Sequence, residues 1–230
     1  MDIKAITPPS VGWLEAKLGE REIEYLWKCI GDKKGSEKKN LAGNIEGSYQ
    51  LIDKDDWFFH QVVYPCMSHY NSEFYNLGNS LPINARHPYF MQKLWVNYQK
   101  ENQFNPLHDH TGIYSFVIWM KIPTNHFEQN KNPISLDSNS HKISVFDFQY
   151  TDMLGSIRNY AYEMSPKIEG TMLFFPSQLK HQVYPFYNCK EDRITISGNV
   201  GLDTSIIQSE DTTDIFRARS KPSTKGNGFK

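Results

Sequence analysis

Two histidines flank an aspartate in Leu107-His108-Asp109-His110-Thr111-Gly112. In an extended segment residues i and i+2 face the same way. His108 and His110 can then point at one ion with Asp109 turned away, or Asp109 can join a histidine if the backbone turns there. Imidazole and carboxylate suit iron or zinc. By itself the cluster reads equally as a hydrogen-bonded polar loop. A third imidazole, His181, follows the apolar run Gly170-Thr171-Met172-Leu173-Phe174-Phe175-Pro176 by five residues, and Arg193 comes twelve residues later. In Arg193-Ile194-Thr195-Ile196-Ser197 the isoleucines alternate with Arg193, Thr195 and Ser197. A guanidinium and a hydroxyl on one strand face make a fork for a carboxylate. An exposed strand whose arginine pairs with a glutamate has the same pattern.

The elements that must hold these groups follow from periodicity. Ile23, Leu26, Trp27 and Ile30 mark one stripe of a helix, with Gly31 as a stop where a left-handed residue costs least. Residues 32–40 form a charged loop. A second helical stretch starts near Asp55-Asp56, which could cap it. Trp57, Phe58, Val62 and Val63 supply its apolar face, and Pro65 should kink or restart it. Beyond about residue 90 the pattern changes to short strands: Leu94, Val96 and Tyr98 alternating with Trp95 and Asn97, then 113–120, 143–149, 171–175 and 193–197. Short strands broken by turn-rich loops indicate a sandwich or barrel. The polar interval 124–141 reads as a long loop bordering the site mouth, where it could govern substrate choice.

The 230 residues suffice for one domain, with helical support over about 1–90, a β core over about 91–202 and a polar tail over 203–230. Lys plus Arg number 25 against 26 Asp plus Glu, so no large basic face for nucleic acid or for a membrane surface is expected. No run of about 18 apolar residues suggests a membrane span. Cys29, Cys66 and Cys189 stand far apart and odd in number, which fits a reducing, cytoplasmic setting rather than a disulfide framework. No Gly-x-Ser-x-Gly and no phosphate-binding Gly-x-x-x-x-Gly-Lys-Ser/Thr occur, which weakens hydrolase and nucleotide-binding readings.

Taken together, Trp95-Val96-Asn97-Tyr98, His108-Asp109-His110, Gly170–Pro176 with His181, and Arg193-Ile194-Thr195 resemble the Fe(II)- and 2-oxoglutarate-dependent oxygenases, the superfamily of the prolyl hydroxylases, over about residues 92–200. The resemblance implies a mainly β fold, a double-stranded β-helix (jelly roll) with N-terminal helices on its outer face. It implies Fe(II) held by His108, His110 and His181, or with Asp109 as the second ligand. The superfamily usually has a carboxylate two residues after the first histidine, where this chain has His110. It further implies 2-oxoglutarate bound by Arg193, Thr195 and Tyr98, dioxygen as co-reactant, release of succinate and CO2, and hydroxylation of an unactivated C–H bond. The primary substrate stays open among a protein side chain, an amino acid, a nucleobase and a metabolite. Two rivals remain: a jelly-roll binding or structural module whose histidines bind zinc or are vestigial, and a three-histidine metalloenzyme without 2-oxoglutarate. The direction of Arg193 separates them.

Overall fold

The computed structural model describes residues 1, 3–5, 10–38, 42–83 and 86–206; most of the tail expected over 203–230 lies outside them. Among these residues ten strands form two antiparallel sheets. They are β1 (Leu14–Lys17), β2 (Gly47–Gln50), β3 (Tyr89–Gln99), β4 (Asn105–His108), β5 (Tyr114–Lys121), β6 (Val145–Thr151), β7 (Ile157–Glu163), β8 (Thr171–Pro176), β9 (Lys180–Val183) and β10 (Arg193–Leu202). The larger sheet runs β1-β8-β5-β10-β3-β2 and the smaller β4-β9-β6-β7, which is the jelly roll. The N-terminal stretch, read as helical support, also contributes β1 and β2, the two outer strands of the larger sheet.

Strand alternation gives the larger sheet two unlike faces. Leu94 and Val96, Phe116 and Ile118, Met172 and Phe174, Ile196 and Val200 project to one side. There they meet Leu26 and Ile30 of helix α1 (Glu20–Gly31), together with Phe58, Phe59, Val63, Met67 and Tyr70. Val117, Trp119, Leu173 and Phe175 project to the other side and meet Phe146, Phe148 and Met164 between the sheets. Gly198 of β10 is in register with Phe116 of β5, and a Cβ there would stand 2.2 Å from the Phe116 ring, so only glycine lets that ring cross the strand.

The helical expectations are met in part. Helix α1 ends at Gly31, but no left-handed residue stops it. Instead the Asp32 N–H donates to Lys28 O. The second helical region is capped by Asp53 rather than Asp55 or Asp56. Its Oδ1 and Oδ2 accept from the Phe58 and Phe59 N–H groups, each at 2.8 Å, while Asp55 and Asp56 take positive φ in the turn. Phe59–Val63 forms a wide π-type turn before α2 (Tyr64–Glu73). The wide turn runs into α2 without a break, with Val63 and Tyr64 both helical, so Pro65 lies inside a continuous helix and the π-type turn just before it takes up the missing N–H. No helix among the described residues is long and apolar enough to cross a membrane.

Replacing Asp53 by alanine removes both caps and the hydrogen bond from Tyr25 Oη at 2.6 Å. The expected cost is about 1–2 kcal/mol, read as a lower urea midpoint. An unchanged midpoint would show that the cap carries no stability.

Candidate metal and carboxylate site

His108 closes β4 and His181 lies in β9, and the two residues are direct register partners. Both side chains therefore face into the sandwich. His110 lies just past the strand, in the turn to β5, where its N–H donates to Ser177 O at 2.9 Å. Gly112 completes that turn at φ 110°, and a Cβ there would lie 2.7 Å from Val200 O. The ring centroids of the three histidines are 4.3–5.0 Å apart, and their ligand atoms lie within 4.8 Å of one another. Asp109 faces outward and pairs with Lys180 Nζ at 2.5 Å, so the alternation that turns His108 inward turns the aspartate away. The structure thus brings together the three imidazoles and leaves out the alternative carboxylate.

Two of the three rings are anchored by backbone carbonyls. His108 Nδ1 lies 2.7 Å from Pro106 O and His181 Nδ1 2.9 Å from Leu179 O. A carbonyl can only accept, so Nδ1 carries the proton in both and Nε2 keeps a lone pair. His110 Nε2 stands 3.1 Å from His181 Nε2. Two nitrogens bound at about 2.1 Å to one ion, at right angles, stand roughly 3 Å apart, so the spacing fits a first-row divalent ion. Phe146 stacks on His181, with Phe175 and Phe148 against its edge. This apolar shell lowers the basicity of the cluster. Burial first, and the neighbouring imidazoles second, hold His181 well below the usual histidine range and His110 down to about 4. Burial also lowers His108. Neutral imidazoles are the form that binds metal.

The histidines share a cavity of about 260 Å³ with Arg193 and Thr195. Arg193 is 1% exposed. Its Nη2 donates to Ser144 Oγ at 2.6 Å, and its Nη1 to Gln99 Oε1 at 3.2 Å and Tyr184 O at 3.4 Å. Its plane lies over Phe186 at 4.8 Å. Nε has no partner, and no carboxylate among the described residues pairs with it. Burial pushes the guanidinium down to about 9. Such a cation asks for an anion brought from outside.

Tyr98 is a correction. In β3 the inward residues are Trp95, Asn97 and Gln99; Tyr98 falls on the opposite face, against Tyr49 and the helix-side core. The sequence pattern already put Tyr98 with Leu94 and Val96, and the strand keeps to it. The mouth loop is a second correction. No residue of 124–141 lines the cavity. His126–Gln129 forms one helical turn, and Gln129 bonds the backbone of Tyr187 in both directions. Glu37, Ala42 and Ile45 line the cavity instead. The residues that hold Arg193 carried unequal signals. Gln99 shares the alternation of Trp95 and Asn97. Ser144 has none, because its placement rests on a left-handed residue (φ 50°) just before β6, 49 residues from Arg193 in the chain.

The family model described as "Putative 2OG-Fe(II) oxygenase" matches residues 93–199, a span that contains all three histidines, Arg193 and Thr195. No curated protein sequence matches the chain. Among solved structures, the non-heme alpha ketoglutarate dependent epimerase SnoN from nogalamycin biosynthesis is 12% identical. It covers 96% of this chain and 88% of its own, with a TM-score of 0.50. A Pseudomonas putida prolyl-4-hydroxylase is 15% identical, over 82% of this chain and 92% of its own, with a TM-score of 0.48. HygX from Streptomyces hygroscopicus, solved with nickel, 2-oxoglutarate and hygromycin B, is 8% identical over 84% of each chain, with a TM-score of 0.46. The chain therefore resembles the 2-oxoglutarate- and Fe(II)-dependent oxygenases in the residues of its family match and in its jelly roll. Iron(II) and 2-oxoglutarate are the groups that this resemblance carries.

The depressed histidines set a pH dependence for the metal-free protein. Unfolded imidazoles titrate near 6.5, while in the fold burial and the neighbouring imidazoles hold His110 down to about 4 and His181 well below the usual histidine range. Below pH 6.5 the unfolded chain binds more protons, so stability is full above that value and is lost as pH falls toward 4. Urea midpoints at pH 7.5 and 5.0 should differ in that direction, and the difference should shrink in His110→Leu. An equal drop in both proteins would refute this origin.

Proposed function

We propose that the chain is a non-haem Fe(II), 2-oxoglutarate-dependent dioxygenase that hydroxylates an unactivated C–H bond, with release of succinate and CO2. The observation that carries this reading is Arg193: a buried guanidinium, without a carboxylate, opening onto the cavity that the three histidines share. A metal-binding module has no use for an unpaired cation in that place.

His108, His110 and His181 would hold the iron, their rings oriented by Pro106 O, Leu179 O and the turn at Ser177. Arg193 would take the far carboxylate of 2-oxoglutarate in bidentate fashion, held by Ser144 and Gln99 and helped by the Thr195 hydroxyl, which lines the same cavity. Bound iron with 2-oxoglutarate supplies the oxidising chemistry that splits dioxygen between succinate and the substrate. Phe146, Phe175 and Trp119 line the cavity and exclude water from that chemistry.

Zinc bound by three histidines in a module without 2-oxoglutarate is the second reading. It is favoured by one observation, the lack of a carboxylate among the converging ligands, since three imidazoles also suit zinc.

Anaerobic addition of Fe(II) and then 2-oxoglutarate decides between them. The dioxygenase should develop the visible charge-transfer band of the chelate, and His181→Ala should abolish it. Arg193→Ala should weaken 2-oxoglutarate binding by about 2–5 kcal/mol, the usual loss when a buried charge pair is broken. A wild-type chain that binds Fe(II) but not 2-oxoglutarate would overturn the proposal in favour of the zinc-type module.

A further inference from the structure

Of the three candidate ligands, His110 is the one the strands do least to hold. His108 and His181 are register partners in β4 and β9, each with a carbonyl behind its ring. His110 lies beyond β4. Its ring meets His181 Nε2 at 3.1 Å and, among the described residues, no backbone carbonyl. Its place is set through the main chain instead. The His110 N–H donates to Ser177 O at 2.9 Å, and the Ser177 N–H donates back to Ile113 O at 3.0 Å. Ser177 directly follows β8 and stands two residues before Leu179, whose carbonyl orients His181. One residue thus borders the supports of two ligands.

Ser177 is itself held by a chain of buried side chains. Ser177, Ser115 of β5 and Asn199 of β10 are 0%, 1% and 6% exposed. Ser177 Oγ lies 3.0 Å from Ser115 Oγ, and Ser115 Oγ donates to Asn199 Oδ1 at 2.9 Å. A hydroxyl has one proton. Ser115 spends its own on Asn199, so Ser177 is the donor to Ser115. The chain crosses the neighbouring strands β8, β5 and β10. It ends where the register of β10 against β3 shifts, between Asn199 and Val200. Further along the same face of β5, Val117 and Trp119 belong to the apolar core between the sheets. Apolar residues of similar shape would fill this layer at little cost, which leaves placement as what the polar chain supplies. We propose that Ser177, Ser115 and Asn199 are positioning residues for the metal centre, fixing the Ser177 carbonyl and through it the place of His110. This rests on the three histidines holding one ion, which the dioxygenase and zinc readings share, and not on 2-oxoglutarate.

The test is titration of Co(II) into the metal-free full chain, read by its visible absorption. Ser115→Ala breaks the chain at its middle and should weaken Co(II) binding about tenfold, as loss of a group behind a metal ligand does. In a His110→Ala background, where His108 and His181 remain, the same substitution should change the affinity by less than about twofold, because it acts through His110. The Co(II) band of Ser115→Ala should also move toward that of His110→Ala, a shift that a general loss of stability does not give. If Ser115→Ala does not fold, Asn199→Leu, which removes the last acceptor, carries the same comparisons. The proposal is overturned if Ser115→Ala binds Co(II) as the wild type does and with the same band, or if it weakens both backgrounds equally. A wild type that takes up no Co(II) removes the proposal together with the metal reading. A wild type that binds Co(II) but no 2-oxoglutarate, and passes the His110 comparison, keeps the positioning residues and loses the dioxygenase reading, so the two failures are distinct.

Discussion

A guanidinium taken out of water needs hydrogen-bond acceptors and a counter-charge, and the acceptors that Arg193 finds tie three segments of the fold together. Its hydrogen bonds run to Ser144 at the start of the smaller sheet, to Gln99 at the end of β3 and to the Tyr184 carbonyl after β9. All of these partners are neutral. They fix the direction of the side chain and satisfy its donors in part, but they do not offset its charge. Desolvation therefore lowers its basicity, and the fold holds a cation whose counter-charge must come with a ligand. Burying a charge without its partner is costly, and the layers around Arg193 stabilise it through the Phe186 face and the hydrogen-bonded frame instead.

The histidine cluster answers a related constraint with the opposite sign. Three basic nitrogens packed together in an apolar shell cannot all protonate, because each charge would be desolvated and would repel the next. Backbone carbonyls behind His108 and His181 settle their tautomers, leaving lone pairs directed at common space. With no carboxylate among the three, a bound divalent ion would keep its full positive charge until an anionic ligand joined it. The two ends of the cavity are thus both electropositive once a metal is present. A dicarboxylate that bridges them meets complementary charge at each end.

The wall formed by Trp95, Asn97 and Asn105 differs in kind. It adds neutral side chains to a cavity that also holds Arg193 and the three histidines. Strand alternation makes this economical: one run of β3 sends Trp95, Asn97 and Gln99 to the cavity and Leu94, Val96 and Tyr98 to the helix-side core.

The sequence by itself determined the strand character from residue 90 onward, the inward set Arg193, Thr195 and Ser197, and the residues His108, His110 and His181 as metal-ligand candidates, because each rests on local alternation or spacing. Local rules also erred where another rule competed. Tyr98 enters by resemblance although its own alternation places it outward, and the Asp55-Asp56 pair offers a cap that Asp53 supplies instead. The short strands β1, β2, β4, β7 and β9 left little local signal, since four to seven residues at a sheet edge or on a small sheet need no strong periodicity. Only the tertiary structure decided that β4 and β9 lie in register, that Asp109 turns to Lys180, and that Ser144 reaches Arg193 across the fold. The physical reason is that these placements depend on contacts between segments far apart in the chain, and long-range pairing is fixed by the packing of two whole sheets rather than by any window of neighbouring residues.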